Sequence, residues 1–209
     1  IKELNQSSSV ASSDGASSWK QFFEACIEIT PPPMEVSDVF NMSTVWPGMS
    51  TWEEVSAWSE QNEHIEVAFA EAAKRAIIGL PYGSEHVPAH FRDAGVYAEI
   101  GVDDRLHAFD FAYVERVKLA CLCATAEMYR LFEIGENDRA IQLMISEFIV
   151  LRKFCDREFL KEQLTFMPML GYALENARDM FYRYKDKLSA IQFRAIAMDG
   201  IPNLETDAT

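Results

Sequence analysis

The residues best suited to bind a metal ion are two histidines and a glutamate near the middle of the chain. Glu85 and His86 are adjacent, and His90 follows His86 by four residues. Residues four apart share one face of a helix, so two such imidazoles can bind the same ion. Pro88 lies between the histidines, however, and the residues do not form an HExxH motif. We therefore predict exposed or capping histidines rather than a metal site.

The sequence contains no recognised nucleophile motif or phosphate-binding loop. It has no GxSxG, and its nine glycines form neither GxGxxG nor GxxxxGK[ST]. We predict no catalytic, cofactor-binding or metal-binding residue and no cofactor. An enzymatic alternative stays open, in which carboxylates such as Glu85 or Asp104 act on a small substrate. Paired carboxylates need only proximity and shifted pKa values, and spacing along the chain reveals neither.

A cluster of carboxylates, Glu60, Glu63 and Glu66, occurs within a predicted helical region. Such a cluster can hold a cation, but charged residues at this spacing more commonly form a solvated helix face. We predict a solvated face.

The four cysteines are spread through the chain: Cys26, Cys121, Cys123 and Cys155. They lack the short paired spacings of a structural zinc site or a redox CxxC pair. In the helical hairpin predicted below, Cys121 and Cys155 are offset along the helix axes by roughly 9 Å, which is too far for a disulfide. We predict free thiols.

The chain is strongly acidic, with 19 Lys or Arg against 33 Asp or Glu and a formal net charge of −14. Phosphate binding needs clustered Lys and Arg, and the one local enrichment, Arg183 to Lys187, is interrupted by Asp186. Nucleic acid is therefore not a predicted partner. No stretch approaches the roughly 20 apolar residues of a membrane span, so the chain is not predicted to cross a bilayer.

The composition divides the chain into a tether, a domain and a tail. Residues 7–18 contain seven serines in twelve positions, which is typical of a flexible linker. We predict a tether over residues 1–17, a single helical domain over residues 18–198 and a frayed tail over residues 199–209. The chain starts at Ile1 rather than Met, which we interpret as the start of a processed or truncated product, and removal of an upstream signal peptide or membrane anchor is compatible with it.

The first half of the domain contains short helical patterns. A helix is predicted from Trp19 to the prolines that begin at Pro31. Another is predicted to start after Thr51, within two overlapping capping boxes, and to pause at Asn62 before it resumes. Proline and glycine interrupt residues 84–101, where we predict a loop with a short helix.

The second half contains two long helices that are predicted to pack as an antiparallel hairpin. Between residues 105 and 134 apolar side chains recur at steps of three and four, and Gly135 fits the position after a helix end. Asp138 fits the start of the returning helix, which runs to residue 156. We predict that the small side chains of Ala120 and Ala124 mark the closest approach of the two helices.

Asp103 and Asp104 precede the first helix of the hairpin and suit its N-cap and first turn. The segment from Ala120 to Leu151 resembles one tetratricopeptide-type hairpin. Because the flanking 34-residue segments do not repeat its pattern, we predict a plain hairpin rather than a repeat array.

A last helical region is predicted from about residue 157 to residue 198, kinked or divided at Pro168. Its inward face is predicted to consist of apolar residues at helical spacing: Leu160, Leu164, Leu170, Leu174, Ala177, Phe181, Tyr184 and Leu188. No segment alternates with a two-residue period, so no sheet is predicted. The predicted fold class is all-α, a compact bundle of about six or seven helices with a central antiparallel hairpin.

Aromatic residues and methionines are dense in this last helical region. They cover more than one helix face: Phe166, Met167, Met169, Tyr172, Met180, Phe181, Tyr182 and Tyr184. Core packing accounts for most of this set, and the surplus can line an apolar groove for a ligand.

Three blocks of the sequence form a distinctive series: SEQNEHIEVAFAEAAKRA, preceded by Trp46 and Trp52, then LACLCATAEMYRLFEIGENDRAIQLMISEFIVLRKF, and finally FMPMLGYALENARDMFYRY. Together they resemble a family of uncharacterised helical proteins of planctomycete-type bacteria. The resemblance covers roughly residues 46–190. It implies a protein that is exported or tethered on the outer side of the cytoplasmic membrane, with a cytoplasmic location as the alternative.

These observations favour a non-enzymatic helical binding or scaffold domain whose long helices present a groove to a peptide, a protein or an apolar small molecule. The sequence leaves the oligomeric state open. An enzyme that uses carboxylates on a small substrate is the alternative.

Overall fold

The computed structural model describes residue 5 and residues 17–33, 45–101 and 108–195. These ranges contain eight α-helices: α1 (Trp19–Glu28), α2 (Trp52–Gln61), α3 (His64–Lys74), α4 (Ala89–Asp93), α5 (Tyr113–Ile134), α6 (Asn137–Cys155), α7 (Leu160–Tyr184) and α8 (Ala190–Ala195). Short 3₁₀ turns lie at Ser84–His86 and Lys185–Lys187. The predicted all-α bundle is confirmed, and the two short helices α4 and α8 bring the number in the described ranges slightly above the prediction.

The prediction that the chain has no sheet was wrong, because the chain contains one small two-stranded sheet. Strands β1 (Glu99–Ile100) and β2 (Phe109–Asp110) pair antiparallel, with Ile100 opposite Phe109. Each strand has two residues, which is too short for an alternating pattern to be recognised in the sequence. Phe109 therefore belongs to β2 rather than to a helix. The helix predicted from residue 105 begins at Tyr113, as α5. Asp103 and Asp104, the predicted N-cap residues, lie outside the described residues.

The antiparallel hairpin of α5 and α6 is confirmed. Gly135 ends α5 with φ 87°, a left-handed conformation that glycine adopts without steric cost. The backbone N–H of Glu136 donates to the carbonyl of Leu131 at 2.9 Å, and that of Gly135 donates to Phe132 at 3.3 Å. These two hydrogen bonds form the Schellman motif, which satisfies the last carbonyls of the helix. Ala120 and Ala124 are both fully buried on α5.

The core lies where α1, α5, α6 and α7 meet. Its centre is a group of buried aromatic rings, in which Phe154 of α6 stacks on Phe166 of α7 with ring centroids 4.7 Å apart. Tyr113 of α5 stacks on Phe166 at 5.9 Å, and Phe23 of α1 meets Tyr113 edge-on at 5.9 Å. Aromatic pairs at these separations are favourable beyond the area that they bury. The rings therefore hold four helices in a fixed relative position.

The predicted inward face of the last helical region was wrong for three of its eight residues, while the other five are buried or pack partly buried against the core. Helix α7 buries a different set of residues at helical spacing: Glu162, Phe166, Met169, Ala173, Asn176, Ala177, Met180 and Tyr184. Leu160, Leu164 and Leu174, which were predicted to face inward, are exposed. The helix also continues through Pro168 without a division. The sequence carries two apolar stripes on this helix, and the second is the one that packs on the core.

The start and the pause of the second helical region are confirmed. Helix α2 begins at Trp52, although Thr51 makes no side-chain capping hydrogen bond. Asn62 separates α2 from α3, and its side chain donates to the carbonyl of Trp58 at 2.7 Å and to the hydroxyl of Thr30 at 2.9 Å. The Asn62 side-chain oxygen in turn accepts the Thr30 backbone N–H at 3.0 Å. This buried amide therefore ties the α2–α3 junction to the segment after α1.

Helix α3 ends at Lys74, and Lys153 of α6 explains the position. The ammonium of Lys153 donates to the carbonyls of Ala72 at 2.9 Å and Ala73 at 2.8 Å, and also to the carbonyl of Arg75. These groups are the carbonyls that a helix end leaves without intrahelical partners. Burial lowers the pKa of Lys153 to about 8, while three carbonyl acceptors favour its charged form.

Replacing Lys153 by methionine should destabilise the fold by about 1–3 kcal/mol, because three partly buried carbonyls lose a charged donor. The measurement is the free energy of unfolding in urea at neutral pH. Lys74→Met is the control, since the exposed Lys74 pairs only with Glu71, at 2.7 Å, and should change stability by less than about 0.5 kcal/mol. Equal free energies for the two variants would contradict the capping role.

Two residues of the predicted tether are described, and both contact the domain. The side chain of Asn5 donates to the carbonyl of Tyr82 at 2.8 Å and accepts the Tyr82 N–H at 2.9 Å. Ser17 forms a parallel bridge with Ile77, and its hydroxyl donates to the carbonyl of Ile78 at 2.8 Å. The rest of the predicted tether and the predicted tail lie outside the described residues, so both stay predictions.

Candidate functional site

A buried polar cluster, which we call the Glu162 cluster, connects the loop after α3 with the start of α5, the α6–α7 turn and the first turn of α7. It consists of Tyr82, Tyr113 at the start of α5, Arg157 in the α6–α7 turn, and Glu162 in the first turn of α7. The Glu162 carboxylate accepts the Tyr113 hydroxyl at 2.5 Å and the Tyr82 hydroxyl at 2.6 Å. Arg157 Nε donates to the same carboxylate at 2.5 Å. The Glu162 side chain is fully buried.

The two tyrosines and the arginine reinforce this arrangement. Burial, together with the charge and hydrogen bond of Glu162, raises the pKa of both Tyr82 and Tyr113, so both hydroxyls stay protonated as donors. The guanidinium of Arg157 lies 4.4 Å from the Tyr82 ring centroid and 5.3 Å from that of Tyr113. Its Nη1 donates to the Leu80 carbonyl at 2.9 Å, while Nη2 has no hydrogen-bond partner among the described residues.

The Glu162 cluster fits a structural role better than a catalytic one. A general base must reach the proton of its substrate and hold a free lone pair toward it. Glu162 is sealed from solvent, and three donors already occupy its carboxylate. The cluster therefore closes the end of the bundle by charge-assisted hydrogen bonds between segments that are distant in sequence.

A second buried carboxylate lies between α5 and α6. Glu147 is fully buried beside the thiol of Cys121, and no nitrogen or oxygen atom of the described residues makes a hydrogen bond to its carboxylate. Burial raises the pKa of Glu147 to about 8, although the Cys121 thiol acts in the opposite direction. Burial, followed by the charge of Glu147, raises the pKa of Cys121. At neutral pH both groups are therefore mainly protonated, and Cys121 is not an activated nucleophile.

The other cysteines are also free thiols in the structure, as predicted. Burial raises the pKa of Cys26, Cys123 and Cys155. A thiol reacts as the thiolate, and none of these environments favours that form. The cysteines therefore behave as small apolar side chains in the core and at its edge.

The histidines that were considered for a metal site pair with different carboxylates. His86 Nε2 lies 3.4 Å from Glu85, and His90 Nε2 lies 3.5 Å from Glu24 of α1. These side chains are exposed, and within the described ranges no group of three or more His, Cys, Asp or Glu side chains is arranged to hold a metal ion. Asp104, the other carboxylate considered for catalysis, lies outside the described residues.

The carboxylates of the α2–α3 region are not simply a solvated face, which corrects the prediction in part. Glu60 accepts Nη1 of Arg130 at 3.3 Å, and Arg130 also forms two hydrogen bonds with the buried Glu127, at 2.8 and 2.7 Å. Glu66 accepts two hydrogen bonds from Arg139 at 3.2 and 2.7 Å. These carboxylates therefore bind arginines of α5 and α6.

Helix α7 carries more exposed large apolar side chains than any other described element. Five residues on its outward side recur at steps of four, three, four and three, and we call them the outer stripe: Leu160, Leu164, Met167, Gly171 and Leu174. The exposed fractions of Leu160, Leu164 and Met167 are 67%, 61% and 60%. Exposed apolar residues that are scattered singly are ordinary, whereas a contiguous stripe marks an interaction surface.

The structure divides the predicted apolar and aromatic set between two faces of α7. Phe166, Met169, Met180 and Tyr184 are buried in the core. Met167, Tyr172 and Tyr182 are exposed, and Met167 belongs to the outer stripe. Part of the set therefore packs in the core as predicted, and the apolar groove for a ligand stays a prediction. The leucines of the stripe were missed because their spacing also fits a core-facing helix.

Comparison with protein-family models, with curated proteins and with solved structures finds no match for this chain. None of the described helices combines the length and apolar character that crossing a bilayer requires.

Proposed function

We propose that this chain is a non-enzymatic helical binding domain and that the outer stripe of α7 receives the apolar face of a partner helix. The observation that carries the proposal is the stripe itself, with large apolar side chains exposed on a helix whose opposite face is fixed in the core. A fixed helix is a suitable template because binding does not require it to be ordered first.

The spacing of the stripe favours a helix as the ligand over a small molecule. Steps of four and three average 3.5 residues, the repeat at which two helices pack side chains into each other's gaps over their length. The stripe from Leu160 to Leu174 extends about 21 Å along the axis. Small apolar ligands prefer concave sites that bury most of their surface, and the stripe is convex.

The two buried carboxylates do not support the enzymatic alternative. Glu162 is enclosed by its three donors, and Glu147 lies fully buried between two helices. The resemblance noted from the sequence adds the proposal that the domain works on the outer side of the cytoplasmic membrane. Fractionation of cells that express the full-length protein, with protease accessibility of intact spheroplasts, tests that location.

The binding proposal is tested with a displayed library of amphipathic helices selected on the purified chain. Selected helices should bind the Leu164→Glu/Leu174→Glu variant about tenfold or more weakly, because a carboxylate would have to be desolvated in the apolar seam. Val67→Glu is the matched control, since Val67 is an apolar residue on α3 with an exposed fraction of 63%. Selected helices that bind the stripe variant as tightly as the wild-type chain would refute the proposal.

A further inference from the structure

The pattern of charges beside the outer stripe points to a second copy of this chain as the partner helix. We infer that two copies associate through α7 in an antiparallel pair, about a two-fold axis that passes between Met167 and Pro168. This inference rests on the proposed function of the stripe and identifies its occupant. A two-fold interface must be complementary to itself, because the same patch contributes both halves.

The apolar residues of the stripe satisfy that requirement. Leu160 and Leu174 lie about seven residues on either side of the axis, so an antiparallel pair places Leu160 of one copy within about one residue, roughly 1.5 Å, of the level of Leu174 of the other. Leu164 and Gly171 are equally distant from the axis, so each Leu164 meets a Gly171. A side chain at Gly171 would find open space within the chain itself, with no atom within 4 Å of a Cβ there. The large Leu164 side chain thus packs over the smallest residue of the stripe.

The charges satisfy the same requirement on one flank of the stripe. Lys161 directly follows Leu160, and Glu175 directly follows Leu174, so both lie on the same side of it. They lie about seven residues on either side of the axis, and an antiparallel pair therefore brings Lys161 of each copy within about one residue, roughly 1.5 Å, of the level of Glu175 of the other. The Lys161 ammonium donates to the Phe109 carbonyl at 2.9 Å, which leaves two of its three N–H donors.

A parallel pair does not make these contacts. In parallel helices the flank that carries Lys161 and Glu175 would face the opposite flank of the partner, whose residues Gln163, Leu170 and Ala177 are partly or fully buried in the partner's own fold. None of those three residues is charged. The distribution of charge along the two flanks therefore selects the antiparallel orientation.

The experiment is sedimentation equilibrium of the full chain as a function of concentration, with charge-swap variants. The wild-type chain should dimerise weakly, since a two-heptad seam is smaller than the standard interface of about 800 Å² per partner. Lys161→Glu and Glu175→Lys should each weaken the dimer about tenfold, because each creates two like-charge contacts. The double variant, Lys161→Glu with Glu175→Lys, should restore the wild-type dimer. Lys20→Glu and Glu54→Lys, at exposed positions of α1 and α2, are the matched controls and should leave it unchanged.

The remaining outcomes separate this inference from the function on which it rests. A chain that stays monomeric but still binds selected helices through the stripe would overturn self-association and leave the proposed function standing. If residues 196–209 of the same chain covered the stripe and their removal exposed it, self-association would likewise be overturned and the proposed function would stand. A dimer that Leu164→Glu abolishes but that neither charge variant weakens would overturn the antiparallel pairing. A monomeric chain whose stripe binds no helix would overturn both proposals. Thermal unfolding of each variant checks that the monomer is still folded.

Discussion

Replacing Arg157 by methionine is expected to destabilise the fold by about 3–5 kcal/mol, the effect of breaking a buried ion pair by removing one partner. The variant leaves the Glu162 carboxylate buried without its counter-charge, and it removes the hydrogen bond to the Leu80 carbonyl. Urea unfolding at neutral pH, followed by far-UV circular dichroism, measures the change. A variant that is already unfolded without urea would agree with this expectation. A free energy of unfolding equal to that of wild type would contradict it.

Two further variants separate the ion pair from general damage to the core. Arg152→Met is the matched control, because Arg152 is partly exposed and its pair with Asp156, at 3.3 Å, should contribute less than about 1 kcal/mol. The double variant Arg157→Met/Glu162→Met should be less destabilised than the sum of the two single variants, since no unpaired buried charge then remains. Additive effects would show that the two side chains do not depend on each other.

The second large effect is expected for Glu147 and depends on pH. Burial raises the pKa of Glu147 from 4.5 to about 8, so between these values the folded chain keeps a proton that the unfolded chain has lost. The stability that comes from this proton is complete below about pH 4.5 and is lost as pH rises through the pKa of about 8. The wild-type chain should therefore lose stability relative to Glu147→Gln over this window, by an amount on the order of a few kcal/mol.

The measurement is the difference in unfolding free energy between wild type and Glu147→Gln at a series of pH values. The two chains differ only at residue 147, so contributions that both chains share cancel in the difference. Glu54→Gln serves as the control, because it replaces an exposed glutamate of α2 and leaves Glu147 in place. Parallel pH profiles for wild type and Glu147→Gln would contradict the buried, protonated state of Glu147.

Local sequence signals were enough to predict the hairpin of α5 and α6. Gly135 supplies the left-handed residue that ends a helix, and the apolar steps of three and four on both sides place the buried faces toward each other. The pause at Asn62 was predictable for a similar reason, because its side chain makes hydrogen bonds that interrupt the helix locally.

The orientation of α7 could not be predicted in the same way. The helix carries two apolar stripes, and periodicity does not say which one packs on the core. The deciding contacts come from residues distant in sequence, since Glu162 is bound by Tyr82 and Tyr113, which lie 80 and 49 residues before it. A buried glutamate within an otherwise apolar face also contradicts the general expectation that charged residues are exposed. The candidate site on the outer stripe was missed for the same reason.

The most direct test of the outer stripe is hydroxyl-radical footprinting of the chain with and without a saturating helix selected on the wild-type chain. We predict that modification of Leu164 and Met167 falls strongly on binding, because a partner helix covers both side chains. Val67, which is exposed on α3, should be modified at the same rate in both samples and provides an internal control. Unchanged modification of Leu164 and Met167 in the presence of the bound helix would place the binding surface elsewhere and contradict the proposed function.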